Sequence, residues 1–165
     1  MTSFRLAPMS PVILILTLAL LLLPIPFFIA VFTHHRLFVL PALFLLFIDA
    51  WTYLWFRPTV FIVGPTDIEV IWPLRRRRIR RDTITSVRRL DRQALRRETG
   101  RAMRVGAGGL WGGFGWLWTT HRGLIRMYVS RIDNFIWIDR GNEQPWLITP
   151  EQPDVFVHAL SGSHP

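Results

Sequence analysis

The sequence has no cysteine and no lysine; all 20 basic side chains are arginine. Without cysteine there is no disulfide, thiolate nucleophile or cysteine-ligated metal to consider. Without lysine, guanidinium is the sole strong cation, a group that recognises phosphate or carboxylate; codon bias in a GC-rich genome produces the same usage. Charge is missing altogether from Leu6 to Thr33, and from Leu37 to Phe56 the one charged residue is Asp49. Catalytic and nucleotide motifs are lacking too. There is no H-E-x-x-H, and the glycines from Gly106 to Gly115 match neither G-x-x-x-x-G-K-[ST] nor G-x-G-x-x-G. No metal and no cofactor is expected. His121 and His158 are far apart and stand in no recognisable motif, which leaves an enzymatic role unsupported.

The two uncharged stretches are what is present in their place. Val12–Phe32 is 21 residues with Thr17 as its one polar side chain. A helix needs about 20 apolar residues to cross a hydrocarbon core of about 30 Å, so this stretch reads as a span. Pro24 and Pro26 predict a kink or loosened turn after Leu23. A cleaved signal peptide is the competing interpretation, but the run is long for one and no small-x-small site closes it. Leu37–Phe56 is the second span, so Thr33, His34, His35 and Arg36 form a tight antiparallel turn. Trp51, Tyr53, Trp55 and Phe56 crowd its end, where amphipathic aromatics settle at headgroup level. Asp49 is an intramembrane polar site, either functional or bonded locally near the interface. Arg5, Arg57 and the dense run beyond favour both termini in the cytoplasm, in a multi-pass protein of the cell (inner) membrane.

From Thr59 the pattern changes to short, alternating, β-branched runs: Thr59–Val63, Ile68–Trp72, Arg75–Arg81, where Ile79 is the one apolar residue, and Thr83–Leu90, with Ile84 and Val87 inward. Beyond a variable stretch come Leu124–Ser130, Asn134–Asp139 and Trp146–Ile148, the last two joined by a turn at Arg140-Gly141-Asn142-Glu143. Thr149-Pro150-Glu151-Gln152 has the form of a helix start, with Thr149 as N-cap and Gln152 closing a capping box, and the helix is expected to run to about Leu160. The fold class is therefore α+β: a transmembrane hairpin at 1–57, then a domain at 58–165 of about seven strands capped by one C-terminal helix.

Seven strands and a helix is the order of a pleckstrin-homology-like sandwich. The run from Gly109 to Thr119, GLWGGFGWLWT, resembles the glycine-aromatic signature of the bacterial PH-domain family. The strand around Arg126-Met127-Tyr128-Val129 and the ending Thr149–Pro153 fit as well, and the resemblance covers about Pro58–Leu160. It implies a PH-like fold, frequent membrane tethering and no assigned catalytic residues.

Thirteen arginines and three acids lie between Arg75 and Arg104, whereas residues 105–165 carry four arginines and five acids. Arg75, Arg76, Arg77, Arg78, Arg80 and Arg81 are thus candidates for attraction to anionic lipid headgroups, each contributing on the order of 1 kcal/mol near such a surface. The alternative is a solvated face. Nucleic acid is not expected as a partner, since no aromatic interleaves this run. Phosphoinositide-binding PH domains place basic residues around the first hairpin turn; here that turn is Gly64-Pro65-Thr66-Asp67, so diffuse attraction is expected rather than an inositol-phosphate pocket. Trp111, Phe114, Trp116 and Trp118 either pack internally or contact the membrane or a partner protein. The function expected is a non-enzymatic, membrane-anchored adaptor for protein partners or anionic lipids. The alternative is a regulatory or assembly subunit of a transporter that works through Asp49; two spans enclose no path, so it would require a homo-oligomer.

Overall fold

The computed structural model describes residues 1–33, 36–141 and 143–162. The first apolar run folds as α1 (Pro11–Leu22) and α2 (Pro24–Phe32), and the second as α3 (Val39–Trp55) after a single 3-10 turn at Arg36–Phe38. Pro11 opens α1 at a position where the absent N–H has no partner to lose. The expected break falls at Leu23, whose N–H bonds the Leu20 carbonyl at 3.1 Å in a tightened turn before Pro24 begins α2. The arms Pro11–Phe32 and Arg36–Trp55 are 22 and 20 residues long, each apolar enough to cross a membrane. His34 and His35 of the expected turn lie outside the described residues, as does Asn142 of the later hairpin turn.

Ten strands, among the described residues, form two sheets. The first has the order β1 (Thr2–Arg5), β2 (Val60–Val63), β3 (Asp67–Ile71), β4 (Arg76–Arg80), all antiparallel. The second has the order β5 (Ser86–Leu90), β9 (Phe135–Arg140), β10 (Glu143–Ile148), β8 (Gly123–Val129), β7 (Gly113–Thr119), β6 (Ala102–Gly108), with β10 and β8 parallel. Alternation sends Phe61, Ile68, Val70 and Ile79 of the first sheet onto Ile136, Ile138, Trp146 and Ile148 of the second, and Phe156 and Leu160 of α5 (Pro153–Ser161) complete this core. On the second sheet's outer face, Met127, Val129, Trp137 and Leu147 pack against Leu95 of α4 (Arg92–Thr99). Strand β9 therefore buries both faces, which is why Phe135–Ile138 is a continuous apolar run.

Three expectations are corrected. Seven strands become ten because β1 forms from residues ahead of the hairpin and the glycine-tryptophan stretch supplies β6 and β7. The strand signal of the first was four residues long, and glycine breaks the alternation of the others. The variable stretch also holds α4, capped by Asp91, whose carboxylate accepts the Ala94 N–H at 2.7 Å. Finally, Thr149 is no N-cap. Its Oγ1 accepts the Ser130 N–H at 2.9 Å and Pro150 bridges Leu6, so the chain stays extended until Gln152. Tertiary hydrogen bonds outcompete the local capping signature.

The domain grips the hairpin at both ends. Ahead of α1, the Ala7 N–H bonds the Thr149 carbonyl at 2.9 Å, the Ser130 hydroxyl donates to the Ala7 carbonyl at 2.6 Å, and the Ser10 N–H reaches the Ser130 carbonyl at 3.1 Å. Behind α3, the Trp72 Nε1 donates to the Phe56 carbonyl at 3.0 Å. Arg5 pairs with Val60 across β1 and β2, so the hairpin leaves and re-enters the domain at one point.

Candidate functional site

Strand geometry divides the arginine run. Arg76, Arg78 and Arg80 project outward from β4, while Arg77 and Ile79 turn inward. Arg78 pairs with Glu69 at 3.3 Å and Asp67 at 3.8 Å, and Arg80 pairs with Asp82. Arg81 donates to the carbonyls of Gly64 at 2.9 Å, Leu160 at 2.7 Å and Ala159 at 3.3 Å, satisfying the last turn of α5. Arg75 lies over the Trp72 ring at 4.3 Å, at the hairpin end of the domain. Arg77 lies over Trp146 at 5.5 Å; burial, Arg126 and Arg140 together hold its pKa below the ordinary arginine value. From Arg75 to Arg81 the chain leads away from the hairpin by about 20 Å. The six side chains are not one patch: Arg75 and Arg76 stand near the hairpin, and Arg81 caps a helix. Beside Arg80 and Arg81 a cavity of about 820 Å³ adjoins the β2–β3 turn. Both arginines bordering it are engaged by Asp82 and by the carbonyls just named.

The four aromatics of the glycine-tryptophan run also part company. Phe114 is 0% exposed, inside the sandwich core. Trp111 sits on the turn before β7 and packs on the hairpin: its ring meets Tyr53 edge-on at 5.2 Å, and Arg57 lies over it at 5.7 Å. The turn is fastened by Thr17, 1% exposed in the middle of the first apolar run. The Thr17 hydroxyl accepts the Trp111 N–H at 3.0 Å and donates to the Gly109 carbonyl at 3.1 Å. The turn therefore touches both apolar arms, α1 through Thr17 and α3 through Tyr53.

Trp116 and Trp118 follow Phe114 on the same face of β7, where the second sheet extends beyond the first and nothing covers it. They are 38% and 60% exposed. Register places Val105 and Arg126 beside Trp116, and Met103 and Leu124 beside Trp118. Met103, Val105 and Leu124 are exposed as well. An uncovered cluster of five large apolar side chains at the end of a sheet has the composition of a recognition surface.

A second concavity lies on the opposite face of the same strands. This groove of about 770 Å³ runs between α1, α4 and the β6–β8 surface. Its floor is Leu117, Met127, Val129 and Leu147, and Arg96, Arg104 and Arg131 border it.

Asp49 sits half-buried on α3, and its Oδ2 is enclosed without a hydrogen-bond partner among the described residues. Sequence reasoning singled out Trp116 and Trp118 but missed Met103, Val105 and Leu124, which share their face only through strand register. It missed the groove for the same reason. Thr17 carried a signal, as the lone polar residue of its run, but its partners lie more than ninety positions away.

Residues 59–163 match the family model described as Bacterial PH domain, a family that is generally non-catalytic. No curated protein matches the chain. No solved structure matches it.

Proposed function

Since the chain belongs to the bacterial PH domain family, we propose that it is a non-enzymatic, membrane-anchored binding module. In this reading residues 1–57 are an integral hairpin in the cell membrane and residues 58–165 a PH-like domain held at its cytoplasmic surface. The observation that carries the binding role is the exposed face of Met103, Val105, Trp116, Trp118 and Leu124, which the rest of the domain leaves uncovered. Its occupant is a protein partner, since a flat, aromatic-rich surface buries well against another folded surface. Anionic headgroups engage Arg75 and Arg76 at the hairpin end. The pairing of β1 with β2 supports a topology with both termini on one side, and the arginines favour the cytoplasm.

The test is a photo-crosslinker at Met103, beside Trp118 on this face, in cells, with reporter fusions at both termini. Capture of a defined partner that Trp118→Ala abolishes supports the proposal; a homo-oligomer is one such partner. No crosslink, together with no preference of the full chain for anionic over zwitterionic bilayers, would sink it.

The enclosed, unpartnered Oδ2 of Asp49 favours one alternative, a regulatory or assembly subunit of a membrane transporter acting through the hairpin. Asp49→Asn would then abolish function while leaving insertion intact, and an unaffected variant rejects that alternative.

A further inference from the structure

The 770 Å³ groove on the outer face of the second sheet is of ligand size and separate from the aromatic face proposed for protein partners. Three of its features point to one chemistry. Its floor is apolar: Leu117, Met127, Val129 and Leu147 present hydrocarbon, with no polar side chain among them. One wall is the apolar hairpin itself, because Ile13 and Leu16 of α1 line it. The neighbouring α1 side chains Val12 and Ile15 are exposed along the same helix, so hydrocarbon continues from hairpin to groove without a polar break. The third feature is charge. Arg96 and Arg104 border the groove, are exposed, and make no ion pair among the described residues. Seven other arginines, Arg78, Arg80, Arg88, Arg89, Arg122, Arg131 and Arg140, each have a carboxylate within 4 Å.

The position of Arg104 is built into the sheet. A Cβ on Gly108 would stand 2.9 Å from its Nη1, and one on Gly113 would stand 3.2 Å from its Cζ. Two side-chain-free positions thus let the guanidinium lie flat over the strands at the end nearest α1. A hydrocarbon trough that opens from an apolar hairpin, with the unpaired Arg104 guanidinium at that opening and Arg96 on its border, fits an amphiphile with an anionic head.

We infer that the groove takes up an anionic glycerophospholipid from the surrounding leaflet. One acyl chain lies on the floor between Leu117 and Leu147, and the phosphate meets Arg104 and Arg96. The inference rests on the reading that the hairpin lies in the bilayer, and the experiment separates the two. The full chain is reconstituted in phosphatidylcholine bilayers doped with phosphatidylglycerol carrying a diazirine on one acyl chain. A parallel sample carries phosphatidylcholine bearing the same label. After illumination, adducts are mapped by mass spectrometry.

Adducts on the residues of β7 and β8 that line the groove are expected, at least about tenfold more abundant with the anionic probe. The double variant Arg96→Gln/Arg104→Gln should abolish that preference. Leu117→Trp should block groove labelling by either probe, and Ala102→Trp, at an exposed position on the groove's border, does the same without touching the core. Adducts confined to exposed hairpin residues such as Ile15 and Leu18 overturn the groove and leave the anchor standing. No adducts anywhere overturn both. Equal labelling by the two probes, or a copurifying polypeptide that occupies the groove and excludes the label, also rejects a phospholipid occupant.

Discussion

Replacing Thr17 by valine tests how the domain is fastened to its hairpin. The side chain is 1% exposed, and valine keeps its shape while removing the hydroxyl. That hydroxyl serves two backbone groups of the β6–β7 turn, the Trp111 N–H at 3.0 Å and the Gly109 carbonyl at 3.1 Å. Neither group gains a new partner from valine. Leaving a buried polar group unsatisfied costs about 1–3 kcal/mol, so two such groups predict a loss of about 2–6 kcal/mol, concentrated in the turn. Thr17→Ser keeps the hydroxyl and gives up one methyl, a loss of about 1 kcal/mol. Hydrogen exchange of the Trp111 amide in detergent or bilayer discs reads the difference directly. Protection should fall about thirtyfold or more in Thr17→Val, from about 2 kcal/mol of cheaper local opening, and much less in Thr17→Ser. Unchanged exchange in Thr17→Val, or equal effects of the two variants, would refute the bridging role.

Gly112→Ala should destabilise the domain by more than about 3 kcal/mol, because its Cβ would lie 2.3 Å from the Val129 carbonyl oxygen at a φ of +148°. Gly123→Ala, where nothing lies within 4 Å, should cost only about 1–2 kcal/mol for its φ of +66°; thermal unfolding of the two variants measures the contrast. Arg81→Ala removes two carbonyl contacts at the end of α5 and one to Gly64 in the β2–β3 turn and should cost about 2 kcal/mol, with faster exchange in the last turn of that helix. Glu98 gives a test that depends on pH. Burial pushes its carboxyl up, but hydrogen bonds and charge from Arg88 and Arg122 outweigh this and hold it below the usual carboxylate range. A lowered folded pKa stabilises above the unfolded value and loses that contribution as pH falls through the folded one. Glu98→Gln should therefore lose about 1 kcal/mol at pH 7, discounted for the partly exposed arginines, and show a flatter acid limb in denaturant titrations.

Much of the fold was legible because its cause is local. The two apolar arms came within a residue of their bounds, and Leu23 broke where two prolines require it. Strands whose side chains alternate between core and solvent, such as the one around Ile68–Val70, announced themselves by period two. Strand β6 did not, since Ala102–Gly108 is an edge with nearly every residue exposed and no core to imprint a pattern on it. Nor did β1, whose only core-facing residue within the strand is Phe4. The candidate sites fared less well. The arginine run looked like one patch and is a strand whose members point in two directions, followed by Arg81, which caps the C-terminal helix through carbonyls 78 and 79 positions away.

The sequence by itself determined the class of element along the chain, two apolar helices followed by a β domain of the bacterial PH type, because those depend on hydrophobic run length, periodicity and turn chemistry. Tertiary structure alone decided which side chains share a surface. Strand register set Trp118 beside Met103 and Leu124, the side-chain-free positions of Gly108 and Gly113 made room for Arg104, and the hydroxyl of Thr17 found its partners in a turn distant in sequence. Contacts between residues so far apart leave no periodicity to read, since each is fixed by the packing of whole sheets and helices rather than by its neighbours in the chain.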